Sequence, residues 1–126
     1  MIDINAITKT IEIKGEHFPV ADVGAGPAVM LLHGFPDSRF LWRYQLPALA
    51  AAGFRVIAPD LRGFGDAPRP TAVRPYRRPF LVADVLGMLD ALGVQRTHLV
   101  GHDWGAALTW RLAGSYPERF DRVVVL

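Results

Sequence analysis

The periodicity of apolar positions divides the chain into alternating short strands and helices. Residues 6–14 have strand-like composition with partial alternation, residues 16–23 form a second such run, and Gly15 separates them, which predicts an antiparallel hairpin. After the turn Gly24-Ala25-Gly26-Pro27 comes AVMLL at 28–32, a run without a polar position, as in a strand covered on both faces. Asp37 or Ser38 supplies an N-cap for a helix predicted over 39–52, which Gly53 stops. Leu41, Trp42, Leu46, Leu49 and Ala50 give it a buried face, and Pro47 is a point where it kinks or splits.

FRVIA at 54–58 reads as the next strand, and it runs into a long loop at 59–75 rich in Gly, Pro and Arg. Residues 80–92 carry Leu81, Val85, Met88, Leu89 and Leu92 near helical spacing, closed by Gly93. A strand at 97–100, a helix from 106 that ends near Ser115 before Pro117, and a β-rich run DRVVVL at 121–126 complete the chain. From residue 28 on, strands and helices alternate. That order predicts a mostly parallel sheet with helices on both faces and right-handed crossovers. Functional residues then belong at the carboxyl ends of strands. Two stretches sit there: His33-Gly34-Phe35-Pro36 and Gly101-His102-Asp103-Trp104-Gly105.

The second stretch carries the chemistry. Gly-x-Asp-x-Gly between a strand and a helix has the spacing of a nucleophile elbow, with Asp where Ser is usual. The flanking glycines let strand and helix close around a strained central residue. The helix that follows aims its free N–H groups at the tip, which favours an anion there. Asp in place of Ser changes the reaction. A carboxylate attacking a carbonyl makes a mixed anhydride, a poor route to hydrolysis. Attack on a saturated carbon bearing a leaving oxygen or halide gives an alkyl ester that water can cleave. With an ordinary pKa of about 3.9, Asp103 needs no base to be ionised at neutral pH.

Composition narrows the classes. The 126 residues are 51% hydrophobic with a formal charge of +2, which suits one globular domain. The basic residues are spread along the chain, which gives no nucleic-acid footprint; the densest cluster, Arg74, Arg77 and Arg78, reads as a solvated loop. The absence of Cys excludes disulfides and thiolate metal sites and fits a reducing, cytoplasmic setting. No basic start followed by an apolar run and no 18-residue apolar stretch is present, so neither secretion nor membrane spanning is expected. No cofactor and no metal site is expected.

Four motifs in order resemble the N-terminal half of the α/β-hydrolase fold, and within it the epoxide hydrolase branch: His33-Gly34-Phe35-Pro36, Asp60-Leu61-Arg62-Gly63-Phe64-Gly65, Gly101-His102-Asp103-Trp104-Gly105 and Tyr116-Pro117-Glu118-Arg119-Phe120. The resemblance implies that Asp103 is the nucleophile. It implies an oxyanion hole of the Trp104 and Phe35 backbone N–H groups, worth about 3–4 kcal/mol each. Pro36 would fix the loop so that the Phe35 amide points inward, and the side chains of Phe35, Pro36 and Trp104 would border the substrate. The Trp104 side chain either lines the pocket or lends its indole N–H to a halide, as in the related dehalogenases. His33 braces its loop, Gly34, Gly101 and Gly105 permit close approach, and His102 packs or hydrogen-bonds beneath the elbow. Asp60 and Arg62 tie down the long loop, Asp66 is a loop carboxylate, and His17 and His98 carry no signal.

The same resemblance makes residues 1–126 the N-terminal part of an α/β-hydrolase core domain, reaching about the sixth of eight strands. The family's histidine base, its supporting acid and two cap tyrosines would then lie beyond residue 126, and Tyr44, Tyr76 and Tyr116 fall outside the cap region. Val123, Val124, Val125 and Leu126 would form an unprotected apolar edge, a surface for self-association or a partner segment. The expected activity is opening of an epoxide, or another small carbon electrophile, to a diol through an alkyl-enzyme ester. A haloalkane or haloacid dehalogenase with the same nucleophile, or a non-catalytic interaction module, is the alternative; Phe35 after His33-Gly34 speaks against the former, where a polar halide ligand is common. A serine-type esterase or lipase is a poor fourth, because Asp103 occupies the nucleophile position.

Overall fold

Two layers of helix sandwich one six-stranded sheet in the computed structural model, which describes residues 2–126. The strands are β1 (Thr8–Ile13), β2 (Glu16–Val23), β3 (Ala28–Leu32), β4 (Arg55–Pro59), β5 (Thr97–Gly101) and β6 (Phe120–Val125); the helices are α1 (Gln45–Ala51), α2 (Arg78–Ala91) and α3 (Trp104–Ser115). The sheet order is β1-β2-β4-β3-β5-β6. β1, β2 and β4 pair antiparallel, while β4, β3, β5 and β6 run parallel. The mostly parallel α/β sheet with an N-terminal hairpin is therefore as expected.

Alternation along β3 explains the two layers. Met30 and Leu32 face one side and join Val85, Met88 and Leu89 of α2 and Leu108 and Leu112 of α3. Val29 and Leu31 face the other side and join Trp42 and Leu46 near α1. Burial of each such side chain stabilises the fold by about 1.5–3 kcal/mol, so a strand buried on both faces is held from both.

Several boundaries differ from the sequence reading for local reasons. Lys14 lies outside β1, because Lys14 (φ 51°) and Gly15 (φ 81°) form the two-residue hairpin turn between the paired Ile13 and Glu16. Residues 5–7 form a 3-10 turn rather than strand. The helix expected over 39–52 is two pieces, a 3-10 turn Arg39–Trp42 with Ser38 as its cap, then α1. Pro47 sits in the first turn of α1, where its missing N–H costs nothing; a continuous helix would bring its ring against the Arg43 carbonyl. The Arg74, Arg77 and Arg78 cluster is exposed but is not simply loop: a 3-10 turn spans Arg74–Tyr76, and α2 starts at Arg78.

Candidate active site

Because β4, β3 and β5 are neighbours and parallel, the loops that leave their carboxyl ends lie side by side. These loops begin at Asp60, His33 and His102. Residues far apart in sequence thus meet at one edge of the sheet.

At the end of β5 the chain turns sharply into α3. Asp103 has φ 58° and ψ −118°, one of two non-glycine residues with positive φ among the described residues. Such a conformation costs on the order of 1–3 kcal/mol. Three glycines make the corner possible by close approach. A Cβ on Gly105 would lie 2.2 Å from the Leu32 carbonyl oxygen, one on Gly101 2.3 Å from the Gly105 carbonyl oxygen, and one on Gly34 2.4 Å from the Asp103 Cβ. The His102 N–H donates to the Leu32 carbonyl at 3.0 Å and its own carbonyl accepts from Gly105 at 2.9 Å. His102 therefore supports the corner through its backbone. Its ring is exposed, not packed beneath as expected, because the tip of the turn projects from the sheet.

The Asp103 carboxylate stands at the open tip, where Oδ2 accepts the Phe35 N–H at 2.9 Å. That bond first, and the Trp104 N–H second, hold its pKa below the ordinary carboxylate range, with His102 acting in the same direction. Asp103 is thus an exposed anion at neutral pH, with the Phe35 N–H hydrogen-bonded to it.

Beside it opens a pocket of about 380 Å³. Phe35 and Trp104 form one wall, and Leu61, Phe64, Tyr76, Leu81 and Leu108 make most of the rest. The lining is apolar except for the buried pair Arg62 and Asp84. Pro36 is exposed and lies outside this lining. The Tyr76 hydroxyl donates to the Pro70 carbonyl at 2.8 Å. The contributions of Phe64, Tyr76, Leu81 and Asp84 escaped the sequence reading. Only the helical spacing of Asp84 from Leu81 and Met88, which puts a carboxylate beside a buried face, pointed to any of them.

His33 is fully buried. Its Nε2 accepts the Leu61 N–H at 2.9 Å, and its Nδ1 lies 2.9 Å from the Gly34 carbonyl oxygen. An Nε2 that accepts must be unprotonated, so the ring is neutral with its proton on Nδ1. Burial above all lowers its pKa, in keeping with that state. Asp60, also buried, accepts the Arg39 N–H on Oδ1 at 2.7 Å and pairs through Oδ2 with the Arg39 guanidinium at 2.5 Å and the Asp66 N–H at 2.9 Å. Among the described residues no group of three or more His, Cys, Asp or Glu is placed to hold a metal ion, and no helix is long and apolar enough to cross a membrane.

Residues 27–126 match the family model described as the alpha/beta hydrolase fold, and the chain belongs to that family. It is 46% identical over 117 residues to Epoxide hydrolase 2 of Siraitia grosvenorii, covering 93% of this chain and 37% of that protein. It is 50% identical over 99 residues to Epoxide hydrolase B of Mycobacterium tuberculosis, covering 79% and 28%. The crystal structure of an epoxide hydrolase from Vigna radiata superposes with a TM-score of 0.90 at 42% identity, covering 94% of this chain and 37% of that one. The chain thus spans about a third of the length of these relatives.

Proposed function

We propose that this chain carries the nucleophile segment of an epoxide hydrolase, with Asp103 as nucleophile and the Phe35 and Trp104 N–H groups as its oxyanion hole. The observation that supports this reading is an ionised, exposed carboxylate with a backbone donor on one oxygen at 2.9 Å, beside an apolar pocket. Oδ1, the oxygen not bonded to Phe35, attacks a ring carbon of the epoxide. The ring C–O bond breaks, its oxygen takes a proton from solvent water, which leaves as hydroxide, and a hydroxyalkyl ester of Asp103 results. The Oδ2 carbonyl already accepts the Phe35 N–H, a donor that stabilises the next tetrahedral intermediate when water attacks. Loss of the diol restores the carboxylate. Phe35 and Trp104 shape the entrance, and the substrate is a small apolar carbon electrophile in a cytoplasmic setting.

None of the four histidines hydrogen-bonds the Asp103 carboxylate among the described residues. The step assigned to these residues is formation of the ester. Val123 and Val124 of β6 and Leu126 after it are exposed, and this edge is the proposed surface for self-association or a partner segment.

Intact-mass spectrometry after incubation with styrene oxide tests the proposal. The expected result is one adduct of the whole epoxide mass, mapped to Asp103 and absent in Asp103→Asn. A chloroalkane adds its mass less that of HCl, so the dehalogenase alternative has its own signature. No Asp103 adduct, or an equal adduct in the mutant, overturns the reading.

A further inference from the structure

We propose that His33 is a positioning residue whose neutral ring clamps the loop after β3 onto the loop after β4, and so sets the Phe35 N–H on Asp103. The inference rests on the geometry around Asp103 described above, and its test does not depend on epoxide turnover.

Three observations carry it. Both ring nitrogens are committed to backbone: Nδ1–H to the Gly34 carbonyl and Nε2 to the Leu61 N–H, each at 2.9 Å. The ring is fully buried, so neither bond can be exchanged for water without opening the site. The Gly34 carbonyl that His33 fixes belongs to the same peptide unit as the Phe35 N–H, because residue 34 supplies the C=O and residue 35 the N–H. Holding one end of a planar peptide group orients the other. The Phe35 donor is thus aimed at Asp103 Oδ2 by a bond made on the far side of its own amide. Phe64 adds a second strap, with its ring edge-to-face against His33 at 5.3 Å and against Phe35 at 6.0 Å.

The clamp has one built-in failure. Protonation of Nε2 removes the acceptor for Leu61 and sets two N–H groups against each other, so the loop must move. The charged groups that face the ring are Asp37 in its own loop and Asp60 after β4, the latter already paired with Arg39, while the Asp103 carboxylate lies across Gly34. Burial opposes the protonated ring more than these carboxylates favour it, so the transition falls on the acid side of ordinary histidine.

The test uses NMR on the intact chain, following the Phe35 amide proton and the Asp103 carboxyl carbon from pH 7 downward. In the wild type the Phe35 amide should show a step that coincides with titration of His33. His33→Gln offers an amide oxygen to Leu61 in place of Nε2 but no donor to the Gly34 carbonyl, and it cannot titrate; it should shift the Phe35 amide and lose that step. His33→Asn keeps a donor for Gly34 but cannot reach Leu61. It should shift the Phe35 amide at every pH and bring the Asp103 titration back toward the ordinary aspartate value. A histidine step that survives in His33→Gln overturns the proposal. So does an unshifted Phe35 amide with unchanged Asp103 titration in a folded His33→Asn.

Discussion

Arg62 and Asp84 meet through two parallel hydrogen bonds, Nε to Oδ2 at 2.8 Å and Nη2 to Oδ1 at 2.7 Å, although 22 residues separate them. The same guanidinium takes both oxygens of Glu16 at 2.8 Å, so one side chain fastens the start of β2, the loop after β4 and the middle of α2. Arg62 and Asp84 are buried, whereas the Glu16 carboxylate is 41% exposed. Removing one partner of the buried pair leaves a charge in the pocket wall. Asp84→Ala should cost about 3–5 kcal/mol in urea unfolding, and Glu16→Ala about 1 kcal/mol or less. Equal losses would mean that burial does not govern this cluster.

Close approach at the turn after β5 makes a second expectation. Gly105→Ala puts a methyl group 2.2 Å from the Leu32 oxygen and 2.5 Å from the His33 oxygen, where backbone must move. The loss should be about 1–3 kcal/mol or more, together with a changed Phe35 amide shift. Gly114→Ala, further along α3, meets nothing within 4 Å and should stabilise by about 0.5–1 kcal/mol. Thermal melts of the two variants should move in opposite directions.

Acid should weaken the fold partly through Asp22. Burial alone would raise its pKa, but hydrogen bonds from Arg55 and Lys9 outweigh burial and lower it. A group with a depressed folded pKa contributes fully above its unfolded value of about 4, and the contribution is lost as pH falls through the lower folded value. Asp22→Asn should therefore be less stable than wild type at pH 6, and the gap should close toward pH 3. A gap that stays constant with pH removes Asp22 from the acid response.

The exposed valines of β6 offer a fourth test. If the edge drives self-association, sedimentation velocity should show a concentration-dependent species that Val124→Lys shifts toward monomer. Indifference of that species to the substitution would move the contact elsewhere.

The elements were legible from the sequence wherever apolar period and punctuation agreed. β2 and β3 fall where alternation and the continuous AVMLL run put them, and the turn after β5 follows from Gly101 and Gly105. The break before α1 depended on which carbonyl Pro47 would strike, a consequence of helix geometry rather than composition. The exposed side of His102 is not legible in the sequence, because a residue name does not reveal on which side of a sharp turn it projects. The sequence places Arg62 as a tie on the long loop, and it does bond Asp84 and Glu16. Its two acid partners lie 22 and 46 residues away, and no local pattern links them.

Register in the middle of the sheet has a quantitative consequence for the carboxylate. β3 and β5 pair Leu32 with Gly101, and from that rung the chain counts three residues to Phe35 and two to Asp103. A slip of two residues would keep every side chain on its proper face, yet slide one loop past the other by about 6.6 Å. A 2.9 Å hydrogen bond does not survive such a displacement. The Phe35–Asp103 bond is therefore a vernier on strand alignment: chains that fold with the correct faces but the wrong rung would bury their core and still leave Asp103 without its donor.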